Sequence, residues 1–116
     1  MTTEPVVAGA RIEAPSAELH LTIPHDLDFF RGHFSGAPIV AGVVQIKWAV
    51  ELAERYLGVG GTFVGMEALK FQQVMTPGIV VTLSLRWAER DGKLHFTFQS
   101  DGARYGSGRV RFRQTP

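Results

Sequence analysis

The chain has 116 residues, of which 45% are hydrophobic and 20% charged, and it contains no cysteine. This length predicts one domain over residues 1–116, and the missing cysteines exclude disulfides, thiolate nucleophiles and cysteine-ligated metals. A formal charge of +1 argues against a nucleic-acid-binding protein. No apolar run is long enough for a membrane span and the start does not resemble a signal peptide, so we expect a cytoplasmic protein without a membrane partner.

The first clear element is a strand over residues 17–23, where apolar and polar side chains alternate. Pro24 ends this pattern. Residues 24–40 then combine glycines and prolines with three phenylalanines, which predicts a long ordered loop. Long loops in small domains carry function more often than average.

A helix is predicted over residues 42–56, because apolar residues recur there at spacings of three and four. Gly58 supplies a C-terminal stop signal. Much of the helix circumference is apolar, so we expect other structure to surround most of it.

The second half of the chain predicts strands over residues 63–74, 79–89, 93–100 and 104–113. Asp-Gly pairs at 91–92 and 101–102 separate the last three strands, and this dipeptide is a strong hairpin signal. The pattern therefore predicts an antiparallel meander. One helix laid against a single antiparallel sheet is an α+β architecture.

The strongest chemical signal is a histidine that precedes the predicted helix. His33 lies in an apolar, glycine-rich loop that leads directly to the helix start at Gly42. The first amides of a helix have no partner within the helix and carry partial positive charge, and a glycine there allows close approach to the backbone. A base beside such donors suits proton abstraction next to a carbonyl.

The segment FRGHFSGAPIVAGVVQIKWA, residues 30–49, resembles the signature of the hot-dog-fold 3-hydroxyacyl-ACP dehydratases. Downstream, GMEALKFQQVMTPGIVVTLSLRW resembles the second half of the same family, and the likeness extends over residues 20–113. Val-Val-Gln and the tryptophan that follows are most similar to the small dehydratase-like proteins of aryl polyene pigment clusters.

The resemblance implies a hot-dog fold, in which an antiparallel sheet wraps a central helix, and active sites that combine two subunits of a dimer or larger assembly. It implies that His33 removes the C2 proton, that the Gly42 amide polarises the thioester carbonyl, and that the Ile39 carbonyl orients the histidine. It implies no metal or organic cofactor, and an acyl chain delivered on the phosphopantetheine arm of acyl carrier protein. We expect Phe34, Ile39 and Val43 to contact that chain.

Three positions depart from the family pattern. Ser35 and Ala41 each replace a proline, and Lys47 stands where the family has a catalytic Asp or Glu. Glu51, one helical turn further on, could supply the missing carboxyl group, or Lys47 itself could act as the acid. The two residues could equally form a solvated salt bridge. The leading hypothesis is a (3R)-hydroxyacyl-thioester dehydratase. The alternatives are a hot-dog thioesterase and an acyl-carrier-binding subunit that partners an active dehydratase in a hetero-oligomer.

A basic run ends the chain. Arg109, Arg111 and Arg113 alternate with apolar residues and have no acidic neighbour after Asp101 in the sequence. They would dock an acidic carrier protein, or they would simply protect an exposed strand from edge pairing.

Overall fold

The computed structural model describes residues 3–26 and 39–114. In chain order it contains strands β1 (Val6–Glu13) and β2 (Ser16–Thr22), helix α1 (Gly42–Leu57), and strands β3 (Thr62–Phe71), β4 (Val80–Ala88), β5 (Lys93–Ser100) and β6 (Ala103–Arg113). Most of the predicted long loop lies outside the described residues, as do His33 and Phe34.

All described strands belong to one six-stranded antiparallel sheet with the order β1-β2-β4-β5-β6-β3. The predicted meander is right for β4, β5 and β6, whose turns place Gly92 and Gly102 at φ 65° and 72°. It is wrong for β3, which pairs with β6 at the far edge of the sheet. The residues after β3 do not form a hairpin, because the Gln72 amide donates to Tyr105 and the Met75 carbonyl accepts from Val40.

Strand β1 was not predicted from the sequence. It forms the other edge of the sheet and, among the described strands, pairs with β2 alone, with a bulge between Val7 and Gly9. Most of its side chains are exposed, so it lacks the apolar alternation that marks a half-buried strand. The strand is defined by its pairing with β2, because its own sequence lacks the alternation that would predict a strand.

The predicted helix is confirmed, with Gly58 as its C-cap at φ 67°. One side of α1 packs on the sheet, and the core joins this side to the inward leucines and phenylalanines of β2, β4 and β5. Within the single chain the opposite side of the helix is left open, and Val43 there is 73% exposed. Within the described ranges no helix is long and apolar enough to cross a membrane, and the cytoplasmic location stays a prediction.

Candidate active site

Helix α1 begins without a side-chain cap. The residue before it, Ala41, is extended and cannot cap an amide, and the first turn contains no acidic residue. Ser, Thr, Asp or Asn usually occupies this position and satisfies one of the first amides. The positive end of the helix dipole is therefore not neutralised by a side chain of its own first turn, and it favours a nearby negative charge.

Two hydrogen bonds hold the segment that leads into the helix. The Val40 amide donates to the Met75 carbonyl at 2.8 Å, and the Val40 carbonyl accepts from Gln45 Nε2 at 3.2 Å. Val40 is 3% exposed, whereas Ile39 is 37% exposed. The backbone on both sides of Val40 is thereby fixed, while the Ile39 side chain still reaches solvent.

An aromatic ring covers the helix start. A Cβ atom added at Gly42 would lie 2.7 Å from Cζ of Phe71, and one added at Gly106 would lie 2.9 Å from Cε1 of the same ring. The ring thus occupies the space that two missing side chains leave. The sequence suggested that Gly42 makes room for a substrate; the structure shows Phe71, which is 46% exposed, in contact there.

A small cavity lies beside this helix start. Its volume is about 180 Å³, and it is lined by residues 39–42, Gln45 and residues 71–75. Ile39 and Gly42, both predicted site residues, are therefore brought together at one cavity. His33, which the chain places before this segment, lies outside the described residues.

Lys47 and Glu51 lie on the other side of α1. Lys47 Nζ contacts Glu51 Oε1 at 2.6 Å, and the two side chains are 49% and 39% exposed. They border a groove of about 560 Å³ whose walls are mostly apolar and include Val43, Phe63 and Met66. The geometry is that of a solvated i,i+4 ion pair at the rim of a hydrophobic groove.

Within one chain these two places are separate. Among the described residues, none lines both the cavity at the helix start and the apolar groove. The structure therefore does not bring Lys47 or Glu51 to Gly42, and it separates Val43 from Ile39.

Charged residues of four strands meet on the sheet face opposite α1. Glu67 accepts from both Lys93 and Arg109 at 2.8 Å, so Arg109 has an acidic partner on the neighbouring strand. These two hydrogen bonds, with Lys93 contributing most, lower the pKa of Glu67 to about 2. The proposed protection of an exposed edge is wrong for these arginines, because β6 lies between β5 and β3. Arg111 and Arg113 are exposed.

His95 lies within the same charged cluster. It is half-buried, and that burial, together with the nearby cations Arg86, Arg109 and Lys93, lowers its pKa. Three cations thus act on His95 against one carboxylate, Glu67, even though the chain as a whole is nearly neutral.

Sequence reasoning missed Gln45 and Phe71. Gln45 had a detectable signal, because it is a polar residue on the apolar side of the helix, three residues before Trp48 and four before Ala49. Phe71 had none, since its contact with Gly42 joins distant parts of the chain.

Solved structures share this fold. The dehydratase heterocomplex ApeI:P from Xenorhabdus doucetiae matches with a TM-score of 0.85 at 31% identity, covering 93% of this chain and 96% of that chain. An uncharacterized protein from Erwinia carotovora subsp. atroseptica matches with a TM-score of 0.79 at 32% identity, covering 92% and 94%. The helix on its six-stranded sheet is thus a hot-dog fold, as the resemblance implied.

Sequence comparison then gives the family. Residues 10–109 match the family model of ApeI-like proteins, described as ApeI dehydratase. The 3-hydroxyacyl-[acyl-carrier-protein] dehydratase FabZ of Erythrobacter litoralis is 35% identical over 78 residues, which cover 59% of this chain and 51% of that protein. The chain belongs to the ApeI-like dehydratase family, and it spans about half the length of this curated relative.

Proposed function

We propose that this protein is a (3R)-hydroxyacyl-thioester dehydratase that acts on chains carried by acyl carrier protein and forms the trans-2-enoyl thioester. The observation that carries the proposal is the uncapped start of α1 at Gly42, beside a cavity, in a chain of a dehydratase family. An amide donor there suits the oxygen of a thioester as it gains negative charge. Fatty-acid or aryl polyene synthesis would supply such substrates.

In the proposed reaction His33 takes the proton from C2. The electron pair moves toward the thioester carbonyl, whose oxygen accepts from the Gly42 amide. The carbon–oxygen bond at C3 then breaks, the departing hydroxide takes a proton from an acid and leaves as water, and a double bond forms between C2 and C3. Base and oxyanion donor each contribute to the rate, since the charge develops where donors already point.

Two residues of α1 are candidates for the acid. Lys47 and Glu51 are paired with each other at 2.6 Å and share no cavity with Gly42 of the same chain. We therefore place the acid on a second subunit, whose groove side faces the helix start of the first. A partner chain with a carboxyl group at the position of Lys47 would restore the family's usual acid.

The edge strand β3 supports an assembly. Five large apolar side chains on it are 36–53% exposed: Phe63, Val64, Met66, Leu69 and Phe71. Exposed apolar side chains on an edge strand, whose outer backbone groups are unpaired, are available for contact with a second chain. We propose a dimer or larger assembly, and the similarity to the ApeI:P heterocomplex favours a hetero-oligomer with a second dehydratase-like subunit.

We assign carrier docking to the basic face that includes Arg109, Arg111 and Arg113. Arg109 forms an ion pair with Glu67, whereas Arg111 and Arg113 are exposed. These two arginines are therefore more available to bind an acidic partner. Replacing these two with serine should slow carrier association and weaken its salt dependence. Unchanged association would remove this face from docking.

The experiment is mass spectrometry of a 3-hydroxyacyl carrier protein incubated with the protein. Loss of water supports the dehydratase, whereas loss of the acyl group selects the thioesterase. An unchanged but bound carrier selects the partner-subunit alternative, which the exposed Lys47–Glu51 pair favours. If water is lost, His33→Ala should reduce the rate about 10²- to 10⁴-fold. His20→Ala, at an exposed histidine on β2, is the matched control.

Lys47→Glu separates the remaining alternatives. If only the acid is missing, this variant should raise dehydration by the protein alone. If Glu51 already serves as the acid, the wild type is active, Glu51→Gln loses that activity, and Lys47→Glu helps little because two neighbouring carboxylates repel each other.

A further inference from the structure

Gln45 is the one buried polar side chain among the described residues, at 3% exposure. It lies in the first turn of α1 and faces the sheet, beside the cavity at the helix start. The neighbouring buried positions of the helix are Val44, Trp48 and Ala49. An amide in such surroundings costs free energy unless its polar atoms are paired.

Only one end of this amide is paired. Nε2 donates to the Val40 carbonyl at 3.2 Å, while Oε1 is buried without a hydrogen-bond partner among the described residues. Gly106 lies directly against Oε1, and a Cβ atom there would overlap it. An apolar side chain of similar size would fill this space without leaving an acceptor unpaired. Packing alone therefore does not explain why a glutamine occupies this position. Glutamine provides the hydrogen bond to the Val40 carbonyl, which an apolar side chain cannot make.

That bond acts on the backbone that carries the proposed site. The Gln45 side chain holds the Val40 carbonyl, and its backbone amide donates to the Ala41 carbonyl at 3.1 Å. Because N–H and C=O point in opposite directions in a trans peptide, the second bond sets the direction of the Gly42 amide. In the same way, the bond from the Val40 amide to Met75 sets the direction of the Ile39 carbonyl.

We propose that Gln45 is a positioning residue for the dehydratase reaction. Its carboxamide fixes the Val40–Ala41 peptide, which joins the peptide that carries the Ile39 carbonyl to the peptide that carries the Gly42 amide. With this middle peptide held, the Ile39 carbonyl and the Gly42 amide keep the directions on which His33 and the thioester depend. Gln45 does not itself contact the reacting atoms. This inference rests on the proposed function, and it adds to that function a residue outside the base, the oxyanion donor and the acid.

The test compares Gln45→Met with the wild type in the complex that dehydrates the carrier-bound substrate. Methionine keeps the length and volume of the side chain but cannot donate to Val40. We expect kcat to fall about 10- to 100-fold, because small displacements of reacting groups are costly, and KM to stay within about twofold. Gly106→Ala, which displaces Oε1 without changing Gln45, should reproduce this split between kcat and KM.

The matched control is Gln114→Met. Gln114 makes the same kind of bond, from Nε2 to the Gly60 carbonyl at 2.8 Å, but at an exposed site. It should leave both kinetic constants unchanged. A Gln45→Met protein with wild-type kcat, or one in which KM alone rises, would overturn the inference.

A second measurement separates this inference from the proposed function. If the wild type does not dehydrate any carrier-bound substrate, the proposed function fails. Hydrogen exchange at the Val40 amide, which donates to the Met75 carbonyl in the segment that Gln45 holds, then decides the positioning role by itself. Faster exchange in Gln45→Met than in Gln114→Met supports the inference that Gln45 fixes the backbone before Gly42, whereas equal exchange contradicts it.

Discussion

The two sides of α1 differ in how completely a single chain covers them. On the side that faces the sheet, Trp48 is 1% exposed and Ala49 is fully buried. On the other side, Val43 is 73% exposed and the Lys47 side chain forms an ion pair with Glu51 of the same helix. The first side gains the stabilisation of apolar burial, about 25 cal/mol per Å², whereas the second leaves an apolar groove open.

This difference divides the candidate site. Gly42, Ile39 and the positioning residue Gln45 belong to the covered side, where backbone directions are fixed within the chain. Lys47 and Glu51 belong to the open side, where the groove and the neighbouring β3 offer apolar surface to another molecule. The proposed oxyanion donor, Gly42, can therefore be positioned within one chain, whereas the acid of the proposed reaction would come from a second chain.

The largest effect should come from a charge placed on the open side. Met66→Asp puts a carboxylate into the apolar groove surface, 45% exposed in the single chain, where an interface would bury it at high cost. We expect the assembly to dissociate at micromolar concentration while the far-ultraviolet spectrum stays unchanged. Sedimentation velocity measures this directly.

The control for that variant is Val6→Asp, at a residue 55% exposed on β1 at the opposite edge of the sheet. It should leave the assembly intact. If Val6→Asp dissociates the assembly and Met66→Asp does not, the interface lies at β1. The open side of α1 is then not the subunit interface.

A smaller effect should distinguish two glycines on the covered side. Gly106→Ala would place a methyl group against the buried Gln45 and against Phe71, so we expect a loss of about 1–3 kcal/mol. In Gly42→Ala the three atoms nearest to the new methyl group all belong to the Phe71 ring, which is half exposed and can rotate away, so the cost should be lower. Denaturant unfolding of both variants gives the two values. Equal losses would mean that Phe71 is held in place and the helix start is closed.

Local pattern was sufficient for much of the fold. Periodicity predicted α1 and β2 almost to the residue, and the Asp-Gly turns predicted the β4–β5–β6 meander. The pairing of β3 with β6 could not be predicted in this way, because it depends on contacts between distant segments.

The site divides similarly. A local motif located Gly42 and the altered position Lys47 on the helix. The contact of Phe71 with Gly42 and the pairing of Arg109 with Glu67 join residues far apart in sequence, so no spacing rule could show them. Gln45 was open to prediction as a polar residue among apolar ones, but its bond to Val40 was not.

The smallest effect should come from the charged sheet face, which lies on neither side of α1. The pKa of Glu67 is lowered from 4.5 to about 2, chiefly by its bond to Lys93 and then by Arg109. The folded protein therefore holds this proton less tightly than the unfolded chain does. The stabilisation is complete above pH 4.5 and is lost as the pH falls toward 2.

His95 also makes the folded protein less stable in acid, but at a higher pH than Glu67 does. Its pKa is lowered from 6.5 by burial and by nearby cations, so acid protonates the unfolded chain first and stability falls below pH 6.5. Melting temperatures measured across pH should therefore decline in two steps. Both steps should be small, because solvent reaches these side chains and salt screens their interactions.

Two variants assign the steps. Glu67→Gln should flatten the decline between pH 4.5 and 2 and leave the one below pH 6.5, whereas His95→Gln should do the reverse. Neither should change the sedimentation of the assembly, since both residues lie away from the groove side of α1. If Glu67→Gln keeps the full decline below pH 4.5, the acid sensitivity comes from other carboxylates. If it also dissociates the assembly, the charged sheet face takes part in the interface, and the division between the two sides of α1 is incomplete.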